Sequence, residues 1–183
     1  MSYRIYTTEG IILKHANFGE ANLVVWVLTR DLGLIIASVQ AGRTAHSKLR
    51  PAIADYSLVR LSAVRGKNGW KATNAVAERN YFFDCSNEKN RHTLAQLTSA
   101  ILRLMPGESQ HSEIFDLTKS GFDHLIFVPE YDLPLFESLF MLRFLHLLGY
   151  VAPDVRTKNF WKKRMNGTME YLNRLFTKKK KLF

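Results

Sequence analysis

The run Leu23-Val24-Val25-Trp26-Val27-Leu28-Thr29, the four residues Arg30-Asp31-Leu32-Gly33 and the run Leu34-Ile35-Ile36-Ala37-Ser38-Val39 decide the fold of this 183-residue chain. Both runs are dense in β-branched and apolar side chains, which suit a pleated surface. The residues between them form a tight turn closed by glycine, so the pair reads as a hairpin. The same texture extends to either side. Tyr3 to Lys14 is rich in β-branched and aromatic residues, with Gly10 expected to mark a bulge, and Phe18-Gly19-Glu20-Ala21-Asn22 turns the chain into Leu23. A polar, basic stretch from Gly42 to Pro51 is expected as a long loop or short helix. Beyond it, Asp55 to Arg65 alternates Tyr56, Leu58, Val59, Leu61 and Val64 with Ser57, Arg60 and Ser62, and a turn at Gly66-Lys67-Asn68-Gly69 leads to a last strand, Trp70 to Glu78. Five short strands in so short a span predict a small closed barrel.

After about residue 86 the apolar period changes from two to between three and four. Leu94, Leu97, Ile101 and Leu104 predict a helix stopped by Pro106-Gly107, and Ile114, Leu117, Leu125 and Val128 predict a second ended by Pro129. Asp132 is the expected cap of a third, ended by Gly149, whose Phe136, Leu139, Phe140, Phe144, Leu147 and Leu148 make it apolar on most faces. Such a helix is expected at the buried centre of a bundle. Trp161, Met165, Met169, Leu172 and Phe176 mark a fourth helix in the tail, with Gly167 weakening it. The expected organisation is therefore α+β: a barrel over 1–80, an all-α part over 81–154, and a basic helix or tail over 155–183.

Charge follows the same divisions. The first 80 residues carry a net +6, residues 81–154 a net −5, and residues 155–183 a net +9. A basic β module joined to an acidic helical one points to a polyanionic partner. Enzymatic readings fare poorly, because the chain has no Walker loop, no Gly-x-Ser-x-Gly elbow and no His-Glu-x-x-His. One cysteine, Cys85, and six scattered histidines give no zinc spacing, so neither metal nor cofactor is expected. A lone cysteine, a first segment without a signal-peptide core and a longest apolar stretch interrupted by Glu137, Arg143 and His146 point to a cytoplasmic protein.

The candidate binding residues lie at turns. They are Lys14 at the end of the first strand, Arg43, Lys48 and Arg50 in the long loop, and Arg65, Lys67 and Lys71 around the fourth turn. Loops at one end of a barrel can converge on one groove, where such cations neutralise phosphates and release counterions. Trp70 sits where its ring can either stack on an unpaired base or fill the core. Phe18 and Trp26 are expected in the core. In the tail, Lys178, Lys179, Lys180 and Lys181 form a cationic arm for phosphates or, as an alternative, for an anionic membrane surface.

The string Glu9-Gly10-Ile11-Ile12-Leu13-Lys14, followed by Phe18-Gly19-Glu20-Ala21-Asn22-Leu23-Val24 and Leu28-Thr29-Arg30-Asp31-Leu32-Gly33, resembles the N-terminal domain of the RecO family. The resemblance continues through Ala41-Gly42-Arg43, Ser47-Lys48-Leu49-Arg50 and Ala77-Glu78, and returns at Leu142-Arg143-Phe144, Leu147-Leu148-Gly149-Tyr150 and Pro153. It implies an oligonucleotide-binding (OB) fold followed by helices. It also implies a DNA repair and recombination mediator without catalytic turnover, which binds single- and double-stranded DNA and anneals complementary strands. The partners implied are RecR, the single-strand binding protein SSB and, functionally, RecA, with a nucleoid-associated location. Arg43, Lys48 and Arg50 take the family's basic barrel positions. Many members carry a four-cysteine zinc element after the Gly-Tyr turn, whereas Val151-Ala152-Pro153-Asp154-Val155-Arg156 runs into the lysine tail here, so this chain reads as a short form without zinc.

Overall fold

Two periodicities, two for the first 80 residues and near 3.6 after them, become a barrel with helices laid against its side. The structure, a computed structural model, describes residues 4–44, 47 and 49–151. Strands β1 (Ile5–Phe18), β2 (Asn22–Thr29), β3 (Gly33–Val39), β4 (Ser57–Gly66) and β5 (Gly69–Asn80) close in the order β1-β2-β3-β5-β4, an OB-like topology. Closure depends on the length of β1. Its first half pairs with β4, from Ile5 opposite Val64 to Ile11 opposite Leu58, and Gly10 to Phe18 pair with β2. A short parallel contact, Ala37 with Trp70 and Ser38 with Lys71, completes the circle.

The bulge expected at Gly10 falls instead between Ile12 and Lys14, and β1 runs on to Phe18. Gly10 serves a different need. A β carbon there would stand 2.7 Å from Val27 Cγ1, so glycine permits the close approach of β2 inside the barrel. The interior is filled by alternate residues, among them Val25 and Val27, Ile35 and Ala37, Leu61 and Ala63, with Ile53 from the β3–β4 connection.

Among the described residues four α-helices follow: α1 (Tyr81–Asp84), α2 (Glu88–Leu104), α3 (Ser112–Leu125) and α4 (Leu133–Leu147). The short α1 has no periodic signal of its own and is set by Asn80, whose side chain accepts from the backbone N–H groups of Phe82 and Phe83. α3 stops at Leu125, short of Pro129, because the amide of buried Asn90 donates to the carbonyls of Leu125 (2.5 Å) and Val128 (3.0 Å) and holds that turn open. Asp132 occupies the cap position of α4, yet its side chain makes no capping bond, and a proline in the first turn starts the helix instead.

α4 is not the buried centre its composition predicts. Only Leu133, Phe140 and Phe144 are buried along it. A helix that is apolar all round still has one face for each neighbour, and α4 spends its own on α3, where Gly121 lies directly beneath the Phe140 ring. The centre is held by Leu94, Leu97 and Ile101 of α2 and Phe115 and Phe122 of α3. These pack in one continuous core with Ile11, Leu13, Leu28, Leu34 and Leu58, which project outward from the barrel. The tail helix expected through Trp161 and Met165 lies outside the described residues.

Candidate nucleic-acid interface

Because successive strands alternate in direction, the β1–β2 turn, the β3–β4 connection and the end of β5 share one end of the barrel. The β2–β3 and β4–β5 turns share the other. The basic residues expected around one groove are therefore divided. Arg43 and Arg50 meet at the first end, in an open groove of about 480 Å³ that His15, Asn17, Ile53 and Ala54 also line. Arg65 and Lys67 lie at the β4–β5 turn, whereas Trp70 and Lys71 open β5 beside Ala37 and Ser38, near the end of β3. Lys48 and Lys178 to Lys181 lie outside the described residues.

The groove is built by backbone bonds across the β1–β2 turn. The Arg43 N–H donates to the Ala21 carbonyl at 3.0 Å, and its guanidinium donates to the Glu20 carbonyl at 2.9 Å. Those bonds fix the side chain while leaving other guanidinium donors free to bind an anion. On the opposite wall, Asp55 Oδ1 accepts from the His15 backbone at 2.7 Å and lies 2.6 Å from its Nδ1. Both arginines are exposed.

Between the two ends runs a second feature that the sequence reading missed. Lys14, Trp26 and Ile36 are direct cross-strand neighbours on β1, β2 and β3, all facing outward. Trp26, expected in the core, lies outside the barrel interior, half-buried against the core that barrel and helices share, with the Lys14 ammonium 5.6 Å from its ring centre, and Ile36 is 51% exposed. Lys71 flanks the same surface beside Ser38. The signal was present in the alternation itself: with Val25 and Val27 inside, Val24 and Trp26 must face out.

Of the two other aromatics, Trp70 takes its core alternative and the expectation for Phe18 is corrected. Trp70 is only 5% exposed, packed edge-on against Tyr6 at 5.2 Å, and presents no face for a base. Phe18, expected inside, is 61% exposed, because β1 continues past the barrel wall to the turn.

Arg65 has another engagement. Its guanidinium is 2.6 Å from Glu108 and lies over the Trp70 ring. Arg30 pairs with Asp116 at 2.9 Å, and Arg79 pairs with Asp84 and Asp123, both at 2.8 Å. Part of the barrel's positive charge is thus met by helical carboxylates within the molecule. In the reverse sense, Glu9 of β1 receives Lys119 of α3 as well as Arg30. Burial raises the Glu9 pKa, but the hydrogen bonds and charges of Lys119 and Arg30 outweigh it and hold the group below its ordinary 4.5. A carboxylate lowered in this way contributes its full stability above pH 4.5 and loses it as pH falls through the folded value. Melting temperature is accordingly expected to fall more steeply below pH 4.5 for the native chain than for Glu9→Gln. Parallel curves would show that this seam adds nothing.

Among the described residues, no group of three or more His, Cys, Asp or Glu side chains is placed to hold a metal ion. Among them, too, no helix is long and apolar enough to cross a membrane.

A family model described as "Recombination protein O N terminal" matches residues 1–78. The chain is similar to the DNA repair protein RecO of Heliobacterium modesticaldum, 29% identical over 150 residues that cover 80% of this chain and 52% of that protein. It is likewise similar to the DNA repair protein RecO of Gloeothece citriformis, 31% identical over 157 residues, covering 83% and 54%. A stretch of 79 residues is 38% identical to the corresponding protein of a Synechococcus species, covering 43% and 27%. The chain spans about half the length of the first two relatives.

Proposed function

We propose, from its similarity to the DNA repair protein RecO of several bacteria and from the family model over residues 1–78, that this chain is a RecO-family, non-enzymatic recombination mediator. It binds single-stranded DNA on the barrel, anneals complementary strands and assists RecA loading on SSB-coated DNA, with RecR and SSB as protein partners. The observation that carries the DNA-binding part is the joining of Arg43 and Arg50 in one groove. In this reading the strand's phosphates lie along those two arginines, and its bases cross the outer β2–β3 face past Lys14, Trp26 and Ile36 toward Lys71 and Lys67. That face is the one oligonucleotide-binding barrels offer their ligands. Arg65, already paired with Glu108, is a secondary contact. Lys48 and Lys178 to Lys181 are proposed as further phosphate contacts. We assign DNA binding to 1–80 and partner contact to 81–154.

Binding of this kind is governed by counterion release, about 0.7 of a log unit in affinity per log unit of salt for each single-strand phosphate neutralised. Replacing Arg43 and Arg50 together with alanine is expected to weaken single-strand affinity several-fold and to flatten the salt slope by about 1.4. An unchanged slope would place the phosphate path elsewhere. Annealing of complementary oligonucleotides pre-coated with SSB tests the mediator part: the chain is expected to accelerate it, and the double variant is not. Binding without acceleration, in a folded chain, would reduce the reading to an OB-type module for single-stranded DNA or RNA.

A further inference from the structure

The short helix α1 stands at the same end of the barrel as the Arg43–Arg50 groove, since β5 delivers it there. It carries an exposed pair of aromatics. Phe83 is 75% exposed, and its ring meets Phe82 edge-on at 5.8 Å. Phe83 is absent from the buried core, and its ring, backed by Phe82, presents a face to solvent at the end of the groove.

Its support is unusually well fixed. Phe82 lies between two flat groups, stacked with Tyr56 at 5.8 Å and 17° and with the Arg91 guanidinium 5.3 Å from its centre. Tyr56 adopts φ +66°, a left-handed conformation that costs a bulky residue about 1–2 kcal/mol. Its backbone is held there by two bonds, from its own N–H to the Ile12 carbonyl at 2.7 Å and from the Tyr81 N–H to its carbonyl at 3.1 Å. The strained residue thereby sets the plane of the ring against which Phe82 rests.

The same segment reaches the groove. Ala54, two residues before Tyr56, lines it, and Asp55 between them binds His15 on the groove wall. Asn80, the cap of α1, donates to the Asp55 carbonyl at 2.9 Å. Of the nearby carboxylates, Asp84 is paired with Arg79, and Asp55 accepts a hydrogen bond from the His15 backbone.

We propose that Phe83 is a base-stacking station, where an unpaired nucleotide leaving the Arg43–Arg50 groove lays its π-face on the ring at the barrel–helix junction. The proposal rests on the DNA-binding reading above and extends the path of the strand onto α1. Stacking on an aromatic ring requires an unpaired base and neutralises no phosphate, so it has a signature distinct from that of the arginines.

The test uses the full chain and a single-stranded oligothymidylate about 16 nucleotides long. Phe83→Ala is expected to weaken its binding about five-fold or more while leaving duplex affinity and the salt slope unchanged, and Phe83→Trp to preserve affinity and gain emission that the oligonucleotide quenches. Because Phe83 is exposed, these variants are expected to fold as the native chain does. Unchanged affinity in Phe83→Ala, beside a loss in the Arg43 and Arg50 variant, would overturn the station and leave the groove standing. Full rescue by Phe83→Leu would also overturn it, by showing an apolar contact of the kind a protein partner makes. No binding by the native chain would overturn both readings.

Discussion

Gly33→Ala is expected to lower the melting temperature by about 4–12 °C, at roughly 2–4 °C per kcal/mol for a chain of this size. Gly33 opens β3 with φ +72°, and a β carbon there would fall 2.2 Å from the Ser109 carbonyl oxygen and 2.8 Å from that of Gly107. Both are backbone atoms, so no side-chain rotation relieves the contact. The Leu34 N–H donates to that same Gly107 carbonyl at 2.9 Å, and this bond ties the β2–β3 turn to the segment after α2. Alanine incurs about 1–2 kcal/mol for the left-handed backbone and about 1 kcal/mol more for the lost bond, before any displacement of Leu34 and Met105 from the shared core. Gly19 supplies the control. Its φ is +63°, yet nothing stands within 4 Å of its β-carbon position, so Gly19→Ala incurs the backbone part alone. Equal losses at the two sites would show that the Gly33 contact is not made in solution.

Phe122→Ala is expected to cost about 3–5 kcal/mol, the range for truncating a fully buried aromatic ring. Phe122 is wholly inaccessible, edge-on to Tyr81 at 5.4 Å and stacked with Phe140 at 6.4 Å. From the C-terminal half of α3 it therefore touches the first residue of α1 and the middle of α4 together. The cavity left behind cannot easily collapse, because the Phe140 ring already rests on Gly121. Denaturant unfolding is expected to show a lower midpoint with an unchanged slope. A loss below about 1 kcal/mol would mean that the helices repack freely around the gap. The contrast with Phe83→Ala is instructive: two phenylalanines on the helical side of the molecule, one expected to govern stability and the other only binding.

The barrel was legible because period two persists through Leu23 to Val39 and again through Ser57 to Arg65, and closure follows from strand number. The exact reach of β1 was not, since the need for glycine at position 10 comes from Val27, a residue far away in sequence but adjacent in space. Which face of β2 is inside was hidden for a related reason. Helices cover part of the barrel wall, so Leu28 is buried on the outer face just as Val27 is on the inner one, and both faces read as apolar. Trp26 fell on the wrong side of that ambiguity. The helical part gave up its periodicity readily, yet the depth of α4 did not follow, because the number of neighbours around a helix is a tertiary quantity. Among the binding candidates, Arg43 and Arg50 could be found as loop cations. The placing of Lys71 beside Ser38 required the β3–β5 register, and the pairing of Arg65 with Glu108 required the fold.

Those internal pairings give the molecule a polarity. By engaging Arg30, Arg65 and Arg79, the acidic helices and the segment between α2 and α3 quench the field on the flank they cover, while Lys14, Arg43, Arg50, Lys67 and Lys71 have no carboxylate partner among the described residues. In the proposed DNA-binding reading, an approaching polyanion is turned before contact so that the helices trail behind it. In that reading the helical flank is left pointing away from the strand, open to whatever else travels on the same DNA.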